Sequence, residues 1–308
     1  MHLLDGFFCR SFNITQTLIK YFRLGLLSVL ITGLFLNLIL KDLIWPLSGI
    51  FYLLPLRLLL LISIIYILFV LKNKIHRIAS IILFALILLI ILTSGSGFIK
   101  NDLPPNLVLW NVARDKTTSE DLANFVAEQK ADVYIFIEFD KKKKRDAKKL
   151  DFDQLVPNYN VQRLSGNTAI LVKNEFKVNR IDSLNDSYNY FNIVESNGIK
   201  YAIVDIGSWP LYNRAKPFDL LHQLILKYDV DIIAGDFNTP YNSVHFEEYF
   251  QNYNCGNTEM KHGRETWPSC FPLVSLDNIL VSTRFKIYSY KPFKGCDSDH
   301  LPLQVSYK

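Results

Sequence analysis

The first candidate for chemistry is an apolar segment that ends in two polar residues two positions apart. The segment IIAGDFNTPYNS, residues 232–243, carries Asp236 and Asn238 directly after its apolar residues. Side chains at positions i and i+2 of a strand point to the same face, so both groups would face one spot. The pattern indicates either a turn that Pro240 completes or one half of a catalytic site.

Other apolar segments of the chain also end in polar residues. They are Asn111 in WNV, Glu138 in FIEF, Asp277 in LDN, and Asp299 with His300 in CDSDHLP. Each alone is explained by a turn, a cap or a position at the rim of a sheet. Glu138 is the hardest to explain in this way, because a charge flanked by Ile137 and Phe139 needs a partner such as a metal ion. Ligands gather at strand ends in α/β sheets, which favours one shared site.

The elements that must position these residues follow from apolar runs and capping signals. Thr118 or Ser119 is a good N-cap for a helix over 118–130, and PFDLLHQLILKY predicts a second helix over 217–228. Strands are predicted at 107–113, 131–139, 168–173, 200–207, 230–237, 275–282 and 301–307. Strands mixed with helices indicate a layered α/β fold, and no internal repeat interrupts it.

Taken in order, the motifs WN, IE, GDFN, TWP with LD, and SDH resemble the endonuclease/exonuclease/phosphatase superfamily, whose fold is called DNase I-like. They span residues 110–300. GDFN and SDH are short motifs, whereas five elements in one order are a more specific signal. The resemblance implies a four-layer α/β sandwich and the cleavage of a phosphoester with a divalent metal ion.

The resemblance and the chemistry of the side chains together suggest a role for each residue. Glu138, Asn111 and Asp299, the last directly or through water, would offer hard oxygen ligands that suit Mg²⁺ or Mn²⁺ rather than zinc. Such an ion would act as a Lewis acid toward the phosphate.

The remaining four residues would handle water and protons. Asp236 would orient or deprotonate the attacking water, and Asn238 would hold that water or a phosphate oxygen. Asp277 would orient His300, which when protonated would donate to the charge that builds on phosphorus. The sequence leaves open whether Asp236 or the His300–Asp277 pair is the base.

The chain departs from the superfamily at one substrate contact. The superfamily usually places a histidine or tyrosine after the strand that here reads AIVDIGSWP, and this chain has Gly207 and Ser208. The Ser208 hydroxyl would donate one hydrogen bond to the substrate, and the other candidate replacements are Trp209, Tyr212 and Arg214. Asn167 in SGNTAILVK is a second candidate contact, with a turn as the alternative.

The first third of the chain has a membrane composition. Residues 1–100 hold 9 Lys and Arg against 2 Asp and Glu, and three apolar runs cover 22–40, 49–71 and 78–99. Each run reaches the roughly 20 residues that a helix needs to cross a bilayer core, although Pro55 and Arg57 interrupt the second. The sequence therefore predicts a membrane domain, 1–100, with about three transmembrane helices, followed by an endonuclease/exonuclease/phosphatase domain, 101–308.

The cations that flank the apolar runs predict the orientation. Arg10, Lys20 and Arg23 precede the first run, and Lys72, Lys74 and Arg77 lie between the second and third. With three spans these cations share one side, which the positive-inside rule assigns to the cytoplasm. We therefore expect a multi-pass protein of the bacterial cytoplasmic membrane with its catalytic domain outside.

Charge and cysteine content bear on partners. Residues 101–308 hold 25 basic and 27 acidic residues, and this net negative charge disfavours long nucleic acids as substrates. The basic run KKKKRDAKK, 141–149, is either a solvated segment or a contact for anionic lipid or nucleic-acid phosphate. Cys255, Cys270 and Cys296 would allow one disulfide with a thiol left over, or are three small buried residues.

These observations favour a membrane-anchored, metal-dependent phosphoesterase whose substrate is a nucleic acid, a lipid headgroup or a small phosphoester. The alternative is a non-catalytic binding or envelope-organising protein on the same fold, which the Gly207–Ser208 departure suggests. The sequence identifies no protein partner.

Overall fold

The computed structural model describes residues 2–70, 74–93, 104–113, 117–139, 151–254, 265–293 and 298–308. The chain forms two compact units, residues 1–93 and 94–308. The basic run 141–149, His262, Cys255 and Cys296 lie outside the described residues. Cys270 is exposed and carries a free thiol, so of the two alternatives for the cysteines the one with all three buried is wrong.

The N-terminal unit is helical. Its helices are α1 (His2–Phe35), which continues as a π-helical segment (Leu36–Leu40), α2 (Ser48–Leu53), α3 (Leu56–Val70) and α4 (Lys74–Thr93). Leu30 of α1, Leu59 of α3 and Ile87 of α4 are buried together in the centre of this unit. Gln16–Leu40, 25 residues long, is the one described helical segment that is long and apolar enough to cross a membrane. A signal sequence near an N-terminus has the same properties.

The second predicted span, 49–71, is not one helix. The chain leaves the helical conformation at Leu54, and α3 begins after Pro55. A proline lacks the N–H that a continuing helix needs and disfavours the helical conformation of the residue before it. The Asn37 side chain donates a hydrogen bond of 2.8 Å to the Leu54 carbonyl at this break.

The expectation of three full-length spans is therefore not confirmed. The apolar parts of the second and third runs form the shorter helical segments Leu56–Val70 and His76–Leu92. Residues 94–99 of the third run lie outside the described residues.

The C-terminal unit contains two six-stranded mixed sheets. The strands are β1 (Leu107–Asn111), β2 (Val133–Ile137), β3 (Tyr159–Leu164), β4 (Thr168–Lys173), β5 (Val178–Asp186), β6 (Asn189–Ser196), β7 (Ile199–Asp205), β8 (Ile232–Asp236), β9 (Tyr253–Asn254), β10 (Asp277–Ser282), β11 (Ile287–Pro292) and β12 (Leu303–Tyr307). The first sheet has the order β11-β12-β1-β2-β4-β3 and the second β5-β6-β7-β8-β10-β9. The helices are α5 (Ser119–Gln129), α6 (Phe152–Leu155), α7 (Ala215–Tyr228) and α8 (Val244–Tyr249).

Successive side chains of a strand point to opposite faces of its sheet. One face of each sheet packs on the other sheet and the opposite face packs on helices, which gives four layers. Leu107 and Leu109 of β1 pack between the two sheets, whereas Val108 and Trp110 pack against α5. On the second sheet, Ile233 of β8 packs against α7 and α8. Because every residue of β1, β2 and β8 is buried, these strands read as continuous apolar runs. The expected α/β sandwich is confirmed.

Helix α5 begins as the sequence predicts. The Thr118 hydroxyl accepts a hydrogen bond of 3.1 Å from the Asp121 N–H, and the Asp121 carboxylate accepts one from the Thr118 N–H. This capping box satisfies two backbone donors that the first helical turn leaves without partners. Helix α5 therefore covers the outer face of β1 and β2 at a defined position.

Strand pairing brings the polar strand ends to one edge of the sandwich. Strands β1 and β2 are parallel, and so are β7 and β8, so the carboxyl ends of each pair lie side by side. Strand β10 runs antiparallel to β8, and its first residue, Asp277, pairs directly with the last residue of β8, Asp236. This edge of the C-terminal unit is where the candidate site lies.

Candidate active site

Asp236 is the centre of a buried group of hydrogen bonds at this edge. One of its carboxylate oxygens, Oδ2, accepts a hydrogen bond of 3.0 Å from the Asn111 side-chain amide at the end of β1. The other, Oδ1, accepts one of 2.8 Å from the Asn238 backbone N–H. Asp236 and Asn111 thereby join the ends of two strands that belong to different sheets.

Asn238 is positioned by its backbone. Its φ of 48° lies in the left-handed region, which asparagine tolerates better than most residues and which turns the chain sharply after β8. Its side-chain nitrogen donates a hydrogen bond of 2.7 Å to the Ile206 carbonyl, next to the end of β7. The amide nitrogen is thus engaged by the protein, and the amide oxygen is the atom left for a ligand. The segment forms the turn that the sequence allowed, and its role in a site stays a prediction.

His300 and Asp277 form a second buried group. The His300 Nδ1 atom lies 2.7 Å from an Asp277 carboxylate oxygen, Oδ2, in hydrogen-bond geometry. The His300 backbone is fixed on both sides, because its carbonyl accepts a hydrogen bond of 3.0 Å from the Trp110 indole and its N–H donates to the Ser298 hydroxyl. Ser298 in turn donates a hydrogen bond of 2.7 Å to the Asn111 carbonyl. The predicted orienting role of Asp277 agrees with this geometry.

The two groups meet in one cluster. Ligand atoms of Asp236, Asp277 and His300 lie within 4.8 Å of one another, and all three residues are buried. The second Asp277 carboxylate oxygen, Oδ1, is buried and has no hydrogen-bond partner within the described parts of the chain. A buried carboxylate oxygen without a partner is costly, so this atom marks a place for a donor or a cation.

The pKa values of Asp236 and His300 are both raised. The raised pKa favours the neutral form of the carboxylic acid and the charged form of the imidazole. Burial first, and then the nearby Asp277 charge, raise the pKa of Asp236 to about 7, against the opposing effects of His300 and of the hydrogen bonds from Asn238 and Asn111. Burial alone would lower the pKa of His300, but the charge and hydrogen bond of Asp277 outweigh burial and raise it to about 10. At neutral pH, therefore, His300 is a cation and Asp236 is poised to exchange a proton.

Glu138 lies beside the end of β1. It follows β2 directly, is half-buried and has a φ of 56°. The Val112 N–H donates a hydrogen bond of 2.9 Å to the Ile137 carbonyl, so the Glu138 backbone stands next to the segment that follows Asn111. An oxygen of the Asn111 side chain accepts a hydrogen bond of 3.0 Å from the Ala113 N–H. Glu138 and Asn111 thus leave neighbouring parallel strands at the same edge.

Three predicted site residues lie outside the buried cluster. Asp299 is half-buried, lies close enough to His300 to raise its pKa, and accepts a hydrogen bond of 2.7 Å from the Ser269 N–H through its carbonyl. Asn167 is exposed, and its carbonyl accepts from the N–H of Phe139, the residue after Glu138. Ser208 is exposed, and no described hydrogen bond joins it to the cluster. The substrate-contact roles of Asn167 and Ser208 stay predictions.

Arg214 has a different role from the substrate contact that the sequence suggested. Its side chain is buried, and its guanidinium donates hydrogen bonds to the carbonyls of Gly207, Trp209 and Asn238 at 2.5, 3.3 and 3.2 Å. A rigid planar cation with several donors can hold three carbonyls at once. Arg214 therefore fixes the loop after β7 against the turn that carries Asn238.

The sequence analysis did not identify the residues whose hydrogen bonds fix the backbone of Asp277 and His300. The buried Thr266 hydroxyl accepts hydrogen bonds of 3.3 Å from the N–H groups of Leu276 and Asp277, and Ser298 and Trp110 hold His300. Thr266 belongs to the TWP motif and Trp110 to the WN motif, so position in a motif was the available signal. Two other histidines of the C-terminal unit lie outside the cluster. His222 donates a hydrogen bond from its Nδ1 atom to the Tyr249 carbonyl at 3.0 Å, and His245 is buried on α8.

Comparisons with known proteins bear on the fold and the family of the C-terminal unit. A search of curated proteins finds no match. Among solved structures, an endonuclease/exonuclease/phosphatase from Bacteroides vulgatus is 14% identical with a TM-score of 0.50, over 66% of this chain and 97% of that one. A functionally unknown protein from Enterococcus faecalis is 13% identical with a TM-score of 0.50, over 66% and 98%. A mannosyl-6-phosphatase from Bacteroides thetaiotaomicron is 14% identical with a TM-score of 0.49, over 66% and 98%.

The structural likeness shows the fold of the C-terminal unit. The family is shown by the sequence itself, because the profile of the Endonuclease/Exonuclease/phosphatase family matches residues 108–300, which is more than half of the chain. That range begins in β1 and ends at His300, so it contains every residue of the buried cluster. The chain belongs to the Endonuclease/Exonuclease/phosphatase family.

Proposed function

We propose that the protein is a membrane-anchored phosphoesterase that uses a divalent metal ion. The observation that carries this proposal is the convergence of Asn111, Asp236, Asp277 and His300, from distant parts of the chain, in one buried cluster. A buried pair of carboxylates beside a cationic imidazole is suited to moving protons around a phosphate. The family to which the chain belongs names both nucleases and phosphatases.

The residues at the end of β1 and β2 fit a hard divalent cation. Glu138 supplies a carboxylate and Asn111 an amide oxygen, and Asp299 adds a carboxylate near His300. Such oxygen donors suit Mg²⁺ or Mn²⁺. Bound there, the ion would supply Lewis acidity toward a phosphate oxygen and the leaving group.

The alternative metal set of Asp236, Asp277 and His300 fits less well. Its atoms are close enough, but the His300 Nδ1 atom is already hydrogen-bonded to Asp277. The raised pKa of His300 favours the protonated imidazole at neutral pH, which would have to release a proton before it could bind a metal ion. We therefore assign these three residues to proton transfer.

The side chains divide the reaction between them. Asp236 is the base, because its pKa of about 7 lets it accept a proton from an attacking water near neutral pH. His300 is the donor to the phosphate oxygens, since Asp277 keeps it cationic and oriented. The Asn238 amide oxygen faces the same turn and would hold the water that Asp236 deprotonates. Of the two candidate bases that the sequence left open, the proposal favours Asp236.

We further propose that α1 anchors the protein in the bacterial cytoplasmic membrane with the C-terminal unit outside. The segment Gln16–Leu40 supports the anchor, and Arg10, Lys20 and Arg23 at its N-terminal side support the orientation. If α3 and α4 also cross, they add two crossings and the C-terminal unit stays on the same side. The orientation therefore does not depend on whether the chain crosses once or three times.

The activity is tested with the full chain in detergent and a chromogenic phosphodiester. We expect hydrolysis that requires Mg²⁺ or Mn²⁺ and stops with a chelator. Asp236→Asn should lower kcat by about 10²–10⁴-fold, the usual contribution of a general base. Asp219→Asn, an exposed carboxylate on α7, is the matched control and should leave kcat unchanged. Absence of turnover, or equal turnover in both variants, would favour the non-catalytic binding protein.

A further inference from the structure

Exposed apolar side chains of the C-terminal unit concentrate around the candidate site. Among its described residues, seven large hydrophobic side chains are exposed, and five of them lie on loops at the catalytic edge. We call these five the aromatic rim: Tyr188, Trp209, Leu211, Trp267 and Phe271, which are 70%, 68%, 48%, 39% and 56% exposed. The other two, Ile181 and Leu226, lie on β5 and α7. Folded proteins usually bury such side chains, so their concentration at one place indicates a surface that a partner covers.

One side of the rim borders Asp236 and Asn238. The Ile206 N–H donates a hydrogen bond of 2.9 Å to the Asp236 carbonyl, and the rim loop that carries Trp209 and Leu211 follows directly. Tyr188 lies against Gly207, where an added Cβ would come 2.9 Å from the Tyr188 Cβ. Because Arg214 binds the Trp209 carbonyl, this part of the rim is held in place on the side of Asn238.

The other side of the rim borders Asp299 and His300. The loop that carries Trp267 and Phe271 is bound to this segment by hydrogen bonds of 2.7 Å from the Ser269 N–H to the Asp299 carbonyl and from the Ser269 hydroxyl to the Ser298 carbonyl. The Leu301 N–H returns a hydrogen bond of 2.8 Å to the Thr266 carbonyl. The rim therefore flanks the catalytic cluster on two sides.

The composition of the rim and the rest of the chain identify the partner. Tryptophan and tyrosine, with an apolar body and one polar group, collect where lipid headgroups meet hydrocarbon. The chain itself carries an apolar helix of membrane-spanning length, and only residues 94–103 connect the N-terminal unit to Pro104. Ten residues reach about 35 Å at most when fully extended, which keeps the C-terminal unit close to any bilayer that holds α1. The net charge of −2 on residues 101–308 disfavours nucleic acid at this surface.

We propose that the aromatic rim inserts into the interfacial layer of a lipid bilayer and that the substrate is a phosphoester in the headgroup of a lipid in that bilayer. The second half of this inference rests on the proposed function. A rim seated at headgroup depth presents the catalytic cluster to phosphates at the same depth. A lipid substrate would then reach the site without leaving the membrane.

Bilayer contact is tested independently of activity. The full chain is reconstituted in phosphatidylcholine vesicles with and without brominated acyl chains, which quench nearby tryptophan fluorescence. We expect stronger quenching in the wild type than in a Trp209→Tyr, Trp267→Tyr double variant. Of the two remaining tryptophans, Trp45 contributes equally to both proteins and Trp110 is fully buried. Equal quenching in the two proteins would refute contact between the rim and the bilayer.

The substrate is tested with two phosphodiesters, one in the headgroup of a vesicle lipid and one soluble. Leu211→Ser and Phe271→Ser should each lower kcat/KM toward the lipid substrate on the order of tenfold, because each removes apolar surface that the bilayer would bury. Turnover of the soluble diester should not change. Leu226→Ser, equally apolar and exposed on α7, is the matched control and should change neither rate.

Four other outcomes distinguish failure of the lipid-substrate inference from failure of the proposed function. Unchanged turnover of the lipid substrate in both rim variants would refute the lipid-substrate inference, and so would wild-type turnover of the soluble diester alone. A parallel loss of turnover on both substrates would show that the rim supports the site itself. If the wild type hydrolyses neither diester, the proposed function fails, and the quenching experiment still decides whether the rim contacts lipid.

Discussion

The His300 imidazole owes its raised pKa mainly to one neighbour, Asp277. Asp277 supplies both a negative charge and a hydrogen-bond acceptor at 2.7 Å, and these outweigh the burial that would otherwise lower the pKa of His300. The same Asp277 charge helps to raise the pKa of Asp236. Asp277 therefore helps to set the protonation of both proposed proton-transfer groups.

Asp277→Asn should shift the pH dependence of kcat/KM. In the wild type, activity rises as Asp236 loses its proton near pH 7 and falls as His300 loses its proton near pH 10. Without the Asp277 charge both pKa values fall, so the alkaline limb should move from about 10 toward the ordinary histidine value of 6.5. The acid limb should move down as well, and the active range should narrow. The measurement is kcat/KM between pH 5 and about 11 with the soluble diester.

Asp277→Glu and Asp219→Asn serve as controls for this experiment. Asp277→Glu keeps the charge and should retain most of the alkaline range, whereas Asp219→Asn should leave the whole profile in place. An alkaline limb that does not move in Asp277→Asn would show that His300 is not the proton donor.

At the scale of elements, the site depends on how closely β7 approaches β8. Val204 and Gly235 are opposite one another in this parallel pair, and a Cβ on Gly235 would come 1.8 Å from the Val204 carbonyl oxygen. Backbone atoms cannot move aside as a flexible side chain can. Only glycine therefore allows this spacing one residue before Asp236.

Gly235→Ala should destabilise the C-terminal unit and impair the site together. Separating β7 from β8 should cost about 1–3 kcal/mol or more, since the added methyl meets backbone rather than a flexible side chain. It should also displace Asp236, so that kcat falls in the protein that remains folded. Thermal unfolding by near-UV circular dichroism and the diester assay measure the two effects. Gly25→Ala, where a Cβ would meet nothing within 4 Å, is the control and should not unfold earlier.

The sequence predicted the strands that carry the site better than the strands that surround it. Strands β1, β2 and β8 are buried on both faces and appear as uninterrupted apolar runs that end in polar residues. Strands β5 and β6 were missed, because β5 is mostly half-exposed and its sequence, VNRIDSLND, is largely polar. The short helix α8 and the strands β3, β9 and β11 were missed too. Pairing partners and edge exposure, which decide these elements, are not local properties of the sequence.

Some site residues could likewise be predicted from the sequence, whereas the roles of others depend on contacts that only the folded chain makes. Asp236, Asp277 and His300 were predictable as a group because each stands directly beside an apolar run, Asp236 after its run and the other two before theirs, and strand pairing brings them together. The role of Arg214 was not predictable, since its partners are backbone carbonyls from three places that only the folded chain brings together. The Asn238 amide, turned toward Ile206 by a left-handed backbone, is a similar case.

At the scale of the whole molecule, the proposed anchor would decide on which side of the membrane the proposed hydrolysis takes place. The expectation of three spans rested on the length of apolar runs, and length alone does not show that Pro55 divides the second run. The charge asymmetry does not depend on that break. Arg10 and Lys20 stand before the first apolar run, 22–40, and Arg23 is its second residue, whereas Lys41 and Asp42, which cancel, stand directly after it.

This asymmetry predicts that the C-terminus lies outside the cytoplasm. A reporter fused after Lys308 that works only in the cytoplasm should stay silent, and one that works only outside should be active. Lys20→Glu with Arg23→Glu removes most of the positive flank and should make the orientation mixed, because Lys and Arg set the bias. Lys227→Glu on α7 changes charge far from the helix and should leave both reporters as in the wild type. An active cytoplasmic reporter in the wild type would place the C-terminal unit in the cytoplasm, where the aromatic rim could meet only lipids of the inner leaflet.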